Sequence, residues 1–225
     1  LPLTTVRLLA PIPRPRKNIF CVGKNYRDHV KELKSEELPK YPVFFTKAPT
    51  AVIGPEMAID SHPEVTRYVD YEGELAVVIG AEAKAVKKEQ ALDYIFGYTI
   101  LNDVSARDRQ KRHGQWFLGK SLDTFAPMGP VLVHKDELPD PHKLKIETRV
   151  NGELRQSANT SMMIFDIPTL IETLSAGITL EPGDIIATGT PAGVGLGFDP
   201  PRFLQPGDVV EVEIEGIGVL RNTVK

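Results

Sequence analysis

Three acidic residues are placed around apolar segments in a pattern that suits a metal site. Glu72 and Glu74 lead into the apolar segment Leu75–Ile79, and residues two apart in a strand point to the same face. Asp103 follows a second apolar segment, Phe96–Leu101. Three carboxylates form an all-oxygen ligand set that suits Mg²⁺ or Mn²⁺ and does not suit structural zinc. The alternative for Glu72 and Glu74 is a solvated pair at an exposed strand end.

A histidine and a glutamate are spaced to act together. His29 and Glu32 are three residues apart in the predicted helix Tyr26–Leu33, so they are neighbours on one helix face. A carboxylate beside an imidazole fixes its tautomer and raises its basicity, as activation of water requires. The alternative is a solvated helix face, because most of the surrounding residues are charged.

Basic and amide side chains near Asp103 could contact an anionic substrate. Lys120 is flanked by apolar residues and a glycine, so it either supports a substrate carboxylate or a developing enolate, or extends to the surface. Arg107 could clamp a carboxylate with two hydrogen bonds, and Gln110 could reach the same place.

A glycine-rich loop follows a predicted strand near residue 187. It has neither the Gly-Lys-Ser/Thr of a phosphate-binding loop nor the glycine spacing of a dinucleotide site. We therefore expect its backbone amides and the Thr190 hydroxyl to receive a small carboxylate.

The elements that must position these residues are mostly strands. Alternation, β-branched residues and turn signals predict strands at Val43–Thr46, Glu74–Ile79, Tyr98–Asn102, Val131–His134, residues 210–215 and a hairpin of residues 144–150 and 153–156 around Asn151-Gly152. Predicted helices are Tyr26–Leu33 capped by Asn25, Lys87–Ile95, and one capped by Asp166 that ends at Gly177. The elements do not alternate regularly between strand and helix. A mixed, β-rich α+β domain with peripheral helices is therefore expected over residues 1–225.

Composition excludes several classes of function. The 225 residues include 27 Lys plus Arg against 30 Asp plus Glu, so no basic field favours nucleic acid. No apolar run is long enough to span a membrane. The one cysteine, Cys21, cannot form an internal disulfide, which favours a reducing, cytoplasmic location. The first residue is not Met, and we expect that a small N-terminal segment precedes this chain.

Five segments in this order resemble one enzyme family. They are Val22–Tyr26 with His29, Asp70–Glu74, Gly97–Thr99 through Asn102–Asp108, Gly119–Thr124 and Ala187–Gly195. Together they cover most of the chain and resemble the fumarylacetoacetate hydrolase family. The chain has no clear counterpart of the fourth acidic ligand found in the long eukaryotic-type hydrolases, so it is most similar to the short, three-ligand branch.

The resemblance implies a β-roll fold, a homodimer and a Mg²⁺ or Mn²⁺ site. It assigns Glu72, Glu74 and Asp103 as metal ligands. It also assigns roles to six further residues: His29 and Glu32 as a dyad on a mobile lid within residues 27–40, with Lys120, Arg107, Gln110 and Thr190 in the substrate pocket.

The activity implied is cleavage of the C3–C4 bond of a small 2-oxo acid through a metal-stabilised enolate. Oxaloacetate decarboxylation is the leading expectation, since C4 leaves as carbon dioxide without water. Hydrolysis of an acylpyruvate or fumarylpyruvate and isomerisation of 2-hydroxyhepta-2,4-diene-1,7-dioate are the alternatives. Sugar-acid lyase chemistry at this site and a non-catalytic interaction protein on the same fold also stay open.

Overall fold

Strands carry most of the regular structure of this protein. A computed structural model describes Pro2, residues 5–34 and residues 37–225. Its strands are β1 (Ile19–Gly23), β2 (Val43–Lys47), β3 (Val52–Ile53), β4 (Val69–Asp70), β5 (Gly73–Ile79), β6 (Ile95–Asn102), β7 (Ser105–Ala106), β8 (Ala126–His134), β9 (Lys145–Val150), β10 (Glu153–Asn159), β11 (Ile185–Ala187), β12 (Val209–Ile214) and β13 (Gly218–Thr223). Its α-helices are α1 (Arg27–Glu32), α2 (Arg107–Arg112), α3 (Phe117–Lys120) and α4 (Ile167–Ser175). The predicted β-rich α+β class is confirmed.

The strands form two main sheets. Within the described residues, a seven-stranded sheet has the order β2-β1-β11-β5-β6-β8-β3, and a four-stranded sheet has the order β10-β9-β12-β13. The short strands β4 and β7 pair separately. In the larger sheet β11 runs parallel to β1 and antiparallel to β5. Strands far apart in sequence are therefore neighbours at the centre of the fold.

The core lies on both faces of the central strand β5. Leu75 and Val77 pack in one apolar cluster with residues of the four-stranded sheet and α4. Ala76 and Val78 belong to a second cluster on the opposite face. Every residue of β5 is buried, because the alternation of side chains along a strand places apolar residues in both clusters.

Several local signals predict the structure correctly. Asn151 and Gly152 have φ values of 53° and 78°, as a type I′ hairpin turn requires, and they join β9 to β10. Val210, Val212 and Ile214 on β12 are buried, as their alternation with glutamates predicts.

The Asp166 side chain caps α4. Its Oδ1 accepts a hydrogen bond of 2.9 Å from the amide of Thr169, as the sequence predicts. Because a lost N-cap leaves a helix amide without its partner, Asp166→Ala is expected to lower the free energy of unfolding by about 1 kcal/mol. Urea unfolding measures this change, and Asp166→Asn is the control expected to retain most of the stability. An unchanged unfolding midpoint in Asp166→Ala would contradict the capping role.

One predicted helix cap is wrong, and one predicted helix is present in the 3-10 form. Asn25 does not cap α1, which begins after Tyr26 without a side-chain cap. The Asn25 side-chain amide instead donates to the carbonyls of Phe165 and Thr188, at 3.0 and 2.8 Å. Asn25 is buried where three segments of the chain meet, so its side chain bonds to the other two segments. The segment Lys88–Tyr94 is a 3-10 helix rather than an α-helix.

Two further observations concern the predicted lid and the expected lack of a membrane-spanning segment. Residues 35 and 36 of the predicted lid lie outside the described residues. Among the residues that are described, no helix is long and apolar enough to cross a membrane.

Candidate active site

Antiparallel pairing of β5 and β6 brings the three predicted metal ligands together. The start of β5 lies beside the end of β6, with Gly73 opposite Asn102, and the Asp103 amide donates to the Glu72 carbonyl at 2.8 Å. Glu72, Glu74 and Asp103 are all buried, and each offers a carboxylate oxygen within 4.8 Å of the other two. The alternative of solvated acids at a strand end does not describe this structure.

The glycine between the two glutamates is required by close packing. A Cβ placed on Gly73 would clash with the Thr148 hydroxyl and with Val212, both on the four-stranded sheet. The Glu-Gly-Glu sequence therefore lets the second sheet approach closely while both glutamates turn toward the site.

The two glutamates have opposite electrostatic surroundings. Burial raises the pKa of Glu74, and the neighbouring Asp103 raises it further, while an amide hydrogen bond from Gly189 at 2.9 Å offers partial compensation. Burial also acts to raise the pKa of Glu72, but Lys120 and Arg107 outweigh it and lower that pKa well below its usual range. Of these two glutamates, Glu74 is therefore the one that forms no salt bridge with a described residue.

Lys120 occupies the centre of the acidic cluster. Its Nζ donates to Glu72 Oε2 at 2.6 Å and to Asp103 Oδ2 at 2.7 Å, and it lies 5.0 Å from the centre of the Phe45 ring. The side chain is buried, so the alternative of a lysine extended to the surface is excluded. Burial acts to lower the pKa of Lys120, but the two carboxylates outweigh it and raise that pKa.

Lys47 is a second buried cation that the sequence analysis did not identify. It ends β2, and its Nζ contacts Asp103 Oδ1 at 2.5 Å and the Val104 carbonyl at 3.0 Å. Burial lowers its pKa, because the attraction of Asp103 only partly offsets the loss of water. A lysine directly after the predicted strand Val43–Thr46 was the available signal.

Arg107 is held mainly by the protein's own acids. Its Nε donates to Asp70 at 2.8 Å, and its Nη1 lies 2.7 Å from Glu72 Oε1 and 3.1 Å from Gln110 Oε1. Its Nη2 is buried without a hydrogen-bond partner among the described residues. The predicted two-bond clamp on a substrate is therefore reduced to one unpaired donor group.

Asp70 connects this arginine to the glycine-rich loop, a role that sequence analysis missed. Its Oδ1 accepts from the amide of Gly195 at 2.7 Å, and its Oδ2 accepts from the amide of Leu196 at 3.0 Å. Its place in the Asp70–Glu74 segment was the only sequence signal. An acid that is buried beside two assigned ligands needs a hydrogen-bond donor or a cation as its partner.

Several amides of the glycine-rich loop already have partners within the protein, so these amides are not free for the small carboxylate that the sequence predicts. The amides of Gly189, Gly193 and Gly195 donate to carboxylates of the protein itself. Thr190 lies at the cavity wall, but its hydroxyl donates to the Gly73 carbonyl at 2.9 Å and accepts from Gln156 at 2.8 Å. Thr190 is thus positioned mainly by protein contacts.

His29 and Glu32 are paired as predicted. His29 Nδ1 lies 3.1 Å from Glu32 Oε2 on α1, and the side chains are 5% and 14% exposed. The alternative of a solvated helix face is therefore excluded for these two residues, although Asp28 and Lys31 on the same helix are exposed.

Seven of the nine predicted site residues, all except Asp103 and Glu32, line a small cavity of about 80 Å³, well below the roughly 300–1,000 Å³ of pockets for drug-sized ligands. The lining residues include His29, Glu72, Glu74, Arg107, Gln110, Trp116, Lys120, Thr190 and Leu196. An outer cleft of about 830 Å³ shares Arg107, Gln110, Trp116 and Leu196 with it. The inner space suits a substrate of few atoms.

The charges of this site fit a divalent cation. Four buried carboxylates, including Asp70, face three buried cationic side chains, which leaves one negative charge uncompensated among these groups. The uncompensated charge is assigned to Glu74, whose hydrogen-bond partner is a backbone amide. An all-oxygen donor set with this charge is of the type that binds Mg²⁺ or Mn²⁺.

Comparison with curated proteins identifies close relatives. Oxaloacetate tautomerase YisK of Bacillus subtilis is 61% identical over 223 residues, covering 99% of this chain and 74% of that protein. The mitochondrial oxaloacetate tautomerase Fahd2a of Rattus norvegicus is 49% identical over 225 residues, covering 100% of this chain and 71% of that protein.

Solved structures share the fold. A fumarylacetoacetate hydrolase of Exiguobacterium antarcticum has a TM-score of 0.91 and 55% identity, over 98% of this chain and 78% of that one. A 2-hydroxyhepta-2,4-diene-1,7-dioate isomerase of Mycobacterium marinum has a TM-score of 0.86 and 48% identity, over 100% and 79%. Residues 18–225 match the family described as fumarylacetoacetate (FAA) hydrolase C-terminal. The chain is an enzyme that belongs to the fumarylacetoacetate hydrolase family.

Proposed function

We propose that this chain is a divalent-metal-dependent enzyme that acts on oxaloacetate through its enolate. The observation that carries the proposal is a cluster of three buried carboxylates with Lys120 at its centre, of which Glu72, Glu74 and Lys120 line a cavity of about 80 Å³. That volume favours a substrate as small as oxaloacetate. The names of the two oxaloacetate tautomerases that share 61% and 49% of their aligned residues with this chain support the same substrate.

Glu72, Glu74 and Asp103 would hold the cation, which we propose is Mg²⁺ or Mn²⁺. When bound, this cation supplies a Lewis acid for the carboxylate and 2-oxo oxygens of the substrate. The proposal rests on the oxygen-only ligand set and on the negative charge that the neighbouring cationic side chains leave uncompensated.

Other residues would bind the substrate and stabilise charge. Lys120 Nζ lies among the ligands, where it favours negative charge on an enolate oxygen. The unpartnered Nη2 of Arg107 can donate to a substrate carboxylate. We propose that Gln110 and Thr190 contact the substrate from the same cavity wall.

Decarboxylation uses this arrangement without water. The electrons of the C3–C4 bond move into the C2–C3 enolate as C4 leaves as carbon dioxide. C3 then takes a proton, which gives pyruvate. In this reaction His29 is needed only after the C–C bond has broken, so its role in the rate is small.

Tautomerisation is a second candidate, favoured by the names of the relatives. The enol loses the proton on its C2 oxygen and gains a proton at C3, and no C–C bond breaks. His29 lines the cavity with its Nδ1 held by Glu32, so its Nε2 is free to carry that proton. Hydrolysis of acylpyruvates and isomerisation of a diene-dioate use the same site and stay alternatives, the second supported by the Mycobacterium marinum neighbour.

The test is a set of parallel assays with the purified protein and each metal. Pyruvate formation measures decarboxylation, loss of enol absorbance measures tautomerisation, and acylpyruvate consumption measures hydrolysis. We expect oxaloacetate to be converted in the presence of Mg²⁺ or Mn²⁺ and not after treatment with a chelator. Absence of any metal-dependent activity on these substrates would contradict the proposal.

The assembly and location are proposed on separate grounds. The family resemblance supports a homodimer, which light scattering during gel filtration would detect. The buried free thiol of Cys21 supports a reducing compartment such as the cytoplasm.

A further inference from the structure

The glycine-rich loop contacts Glu32, a residue of the predicted dyad. The Gly193 amide donates to Glu32 Oε1 at 2.7 Å, and Glu32 Oε2 lies 3.1 Å from His29 Nδ1. Each carboxylate oxygen thus has its own partner. The position of the histidine therefore depends on a contact made more than 160 residues further along the chain.

Gly197 is shaped to the same carboxylate. A Cβ added at Gly197 would overlap Glu32, because the three nearest atoms are Oε1, Cδ and Cγ of that side chain. The backbone of Gly197 is not in the left-handed region, unlike that of Gly193 at φ 105°. The nearest obstacle to a side chain at position 197 is therefore Glu32.

Asp70 and Tyr71 hold the glycine-rich loop in place beside Glu32. Asp70 accepts hydrogen bonds from the amides of Gly195 and Leu196, and the Tyr71 hydroxyl donates to the Gly193 carbonyl at 2.8 Å. Both contacts come from the segment that also carries Glu72 and Glu74. The glycine-rich loop is thus held by the same segment as two of the three proposed metal ligands.

We propose that Gly193 and Gly197 are positioning residues that form a cradle for Glu32 and thereby set the tautomer of His29. The proposal rests on the proposed function. A carboxylate can only accept hydrogen bonds, so the cradled Glu32 keeps the proton of neutral His29 on Nδ1. This leaves Nε2 as the basic atom for proton transfer in the cavity. Without the cradle, the carboxylate loses its position and both tautomers of His29 become populated.

Gly197→Ala tests this proposal without altering either member of the dyad. The added methyl group displaces the end of a flexible side chain, so the protein is expected to fold. A displacement of this size lowers kcat for tautomerisation by about 10²-fold, while KM and the affinity for Mn²⁺ stay close to wild type. The matched control is Gly177→Ala, because Gly177 has ordinary backbone angles and nothing within 4 Å of an added Cβ.

A spectroscopic readout separates positioning from a general structural effect. Nitrogen NMR of protein labelled at histidine distinguishes the two tautomers, and His29→Gln identifies the His29 signals. Wild type is expected to show the Nδ1-protonated form, and Gly197→Ala a mixture. This readout needs no turnover, so it remains decisive for the cradle even where the proposed activity is absent.

The double variant Glu32→Ala/Gly197→Ala completes the test. If Gly197 acts only through Glu32, the double variant has the same kcat as Glu32→Ala, because the methyl group then has nothing to displace. An equal further loss in the double variant would overturn the proposal. So would a Gly197→Ala protein with wild-type kcat or an unchanged His29 tautomer.

Discussion

Glu74→Gln is expected to abolish specific binding of the divalent cation and to lower turnover of oxaloacetate by ~10³-fold, given a Lewis-acid contribution of several kcal/mol. Glutamine keeps the shape of glutamate but removes the charge of Glu74, which forms no salt bridge among the described residues. Since the wild-type carboxylate is buried beside Glu72 and Asp103, its removal also relieves repulsion. The metal-free variant is therefore expected to be at least as stable as metal-free wild type.

Calorimetric titration with Mn²⁺ and thermal unfolding with and without Mn²⁺ measure these effects. Wild type is expected to unfold at a higher temperature with Mn²⁺, because a ligand that binds only the folded state stabilises it. The variant should show no such increase. Glu213→Gln, which removes an exposed carboxylate of β12, is the matched control and should behave as wild type. Unchanged Mn²⁺ affinity in Glu74→Gln would remove Glu74 from the ligand set.

Lys120→Met is expected to show the opposite pattern of stability and metal binding. Removing the buried ammonium leaves Glu72 and Asp103 without a central partner, which lowers the stability of the metal-free protein by about 3 kcal/mol. Mn²⁺ should restore much of that stability, because the site has gained a net negative charge. Turnover should still fall by roughly 10²–10³-fold, since a charge that stabilises the enolate is lost.

The comparison of unfolding midpoints and kcat at saturating Mn²⁺ tests this second prediction. Lys87→Met replaces an exposed lysine and is expected to change neither quantity. A Lys120→Met protein with wild-type kcat at saturating metal would show that Lys120 serves packing of the acids and not the reaction.

Sequence reasoning succeeded where a signal is local. The Asn151-Gly152 turn and the Asp166 cap depend on residues within a few positions of one another, so their chemistry could be interpreted directly. In both cases a short stretch of chain determines the geometry. The grouping of Glu74 with Asp103 was expected from the family resemblance, and in the structure it arises from the antiparallel pairing of β5 with β6.

It failed where a polar group finds its partner across the fold. Asn25 has the composition of a helix cap, yet its partners Phe165 and Thr188 are 140 and 163 residues away. Lys47 pairs with Asp103 over 56 residues. In the sequence, the amides of the glycine-rich loop resemble an anion-binding site. In the structure, several of them donate to the carboxylates of Glu32 and Asp70. Such pairings depend on sheet order, which local patterns do not encode.

The order of the large sheet has a consequence for how the protein is made. Strand β11 lies between β1 and β5, so the first strand of the sheet cannot join the strand that carries Glu74 until Ile185–Ala187 has left the ribosome. Until then, the acidic residues of the site lack the glycine-rich loop that follows β11. Because such distant pairings form slowly, we expect the centre of this sheet to assemble only after residue 187 has been synthesised, later than the pairing of β5 with β6.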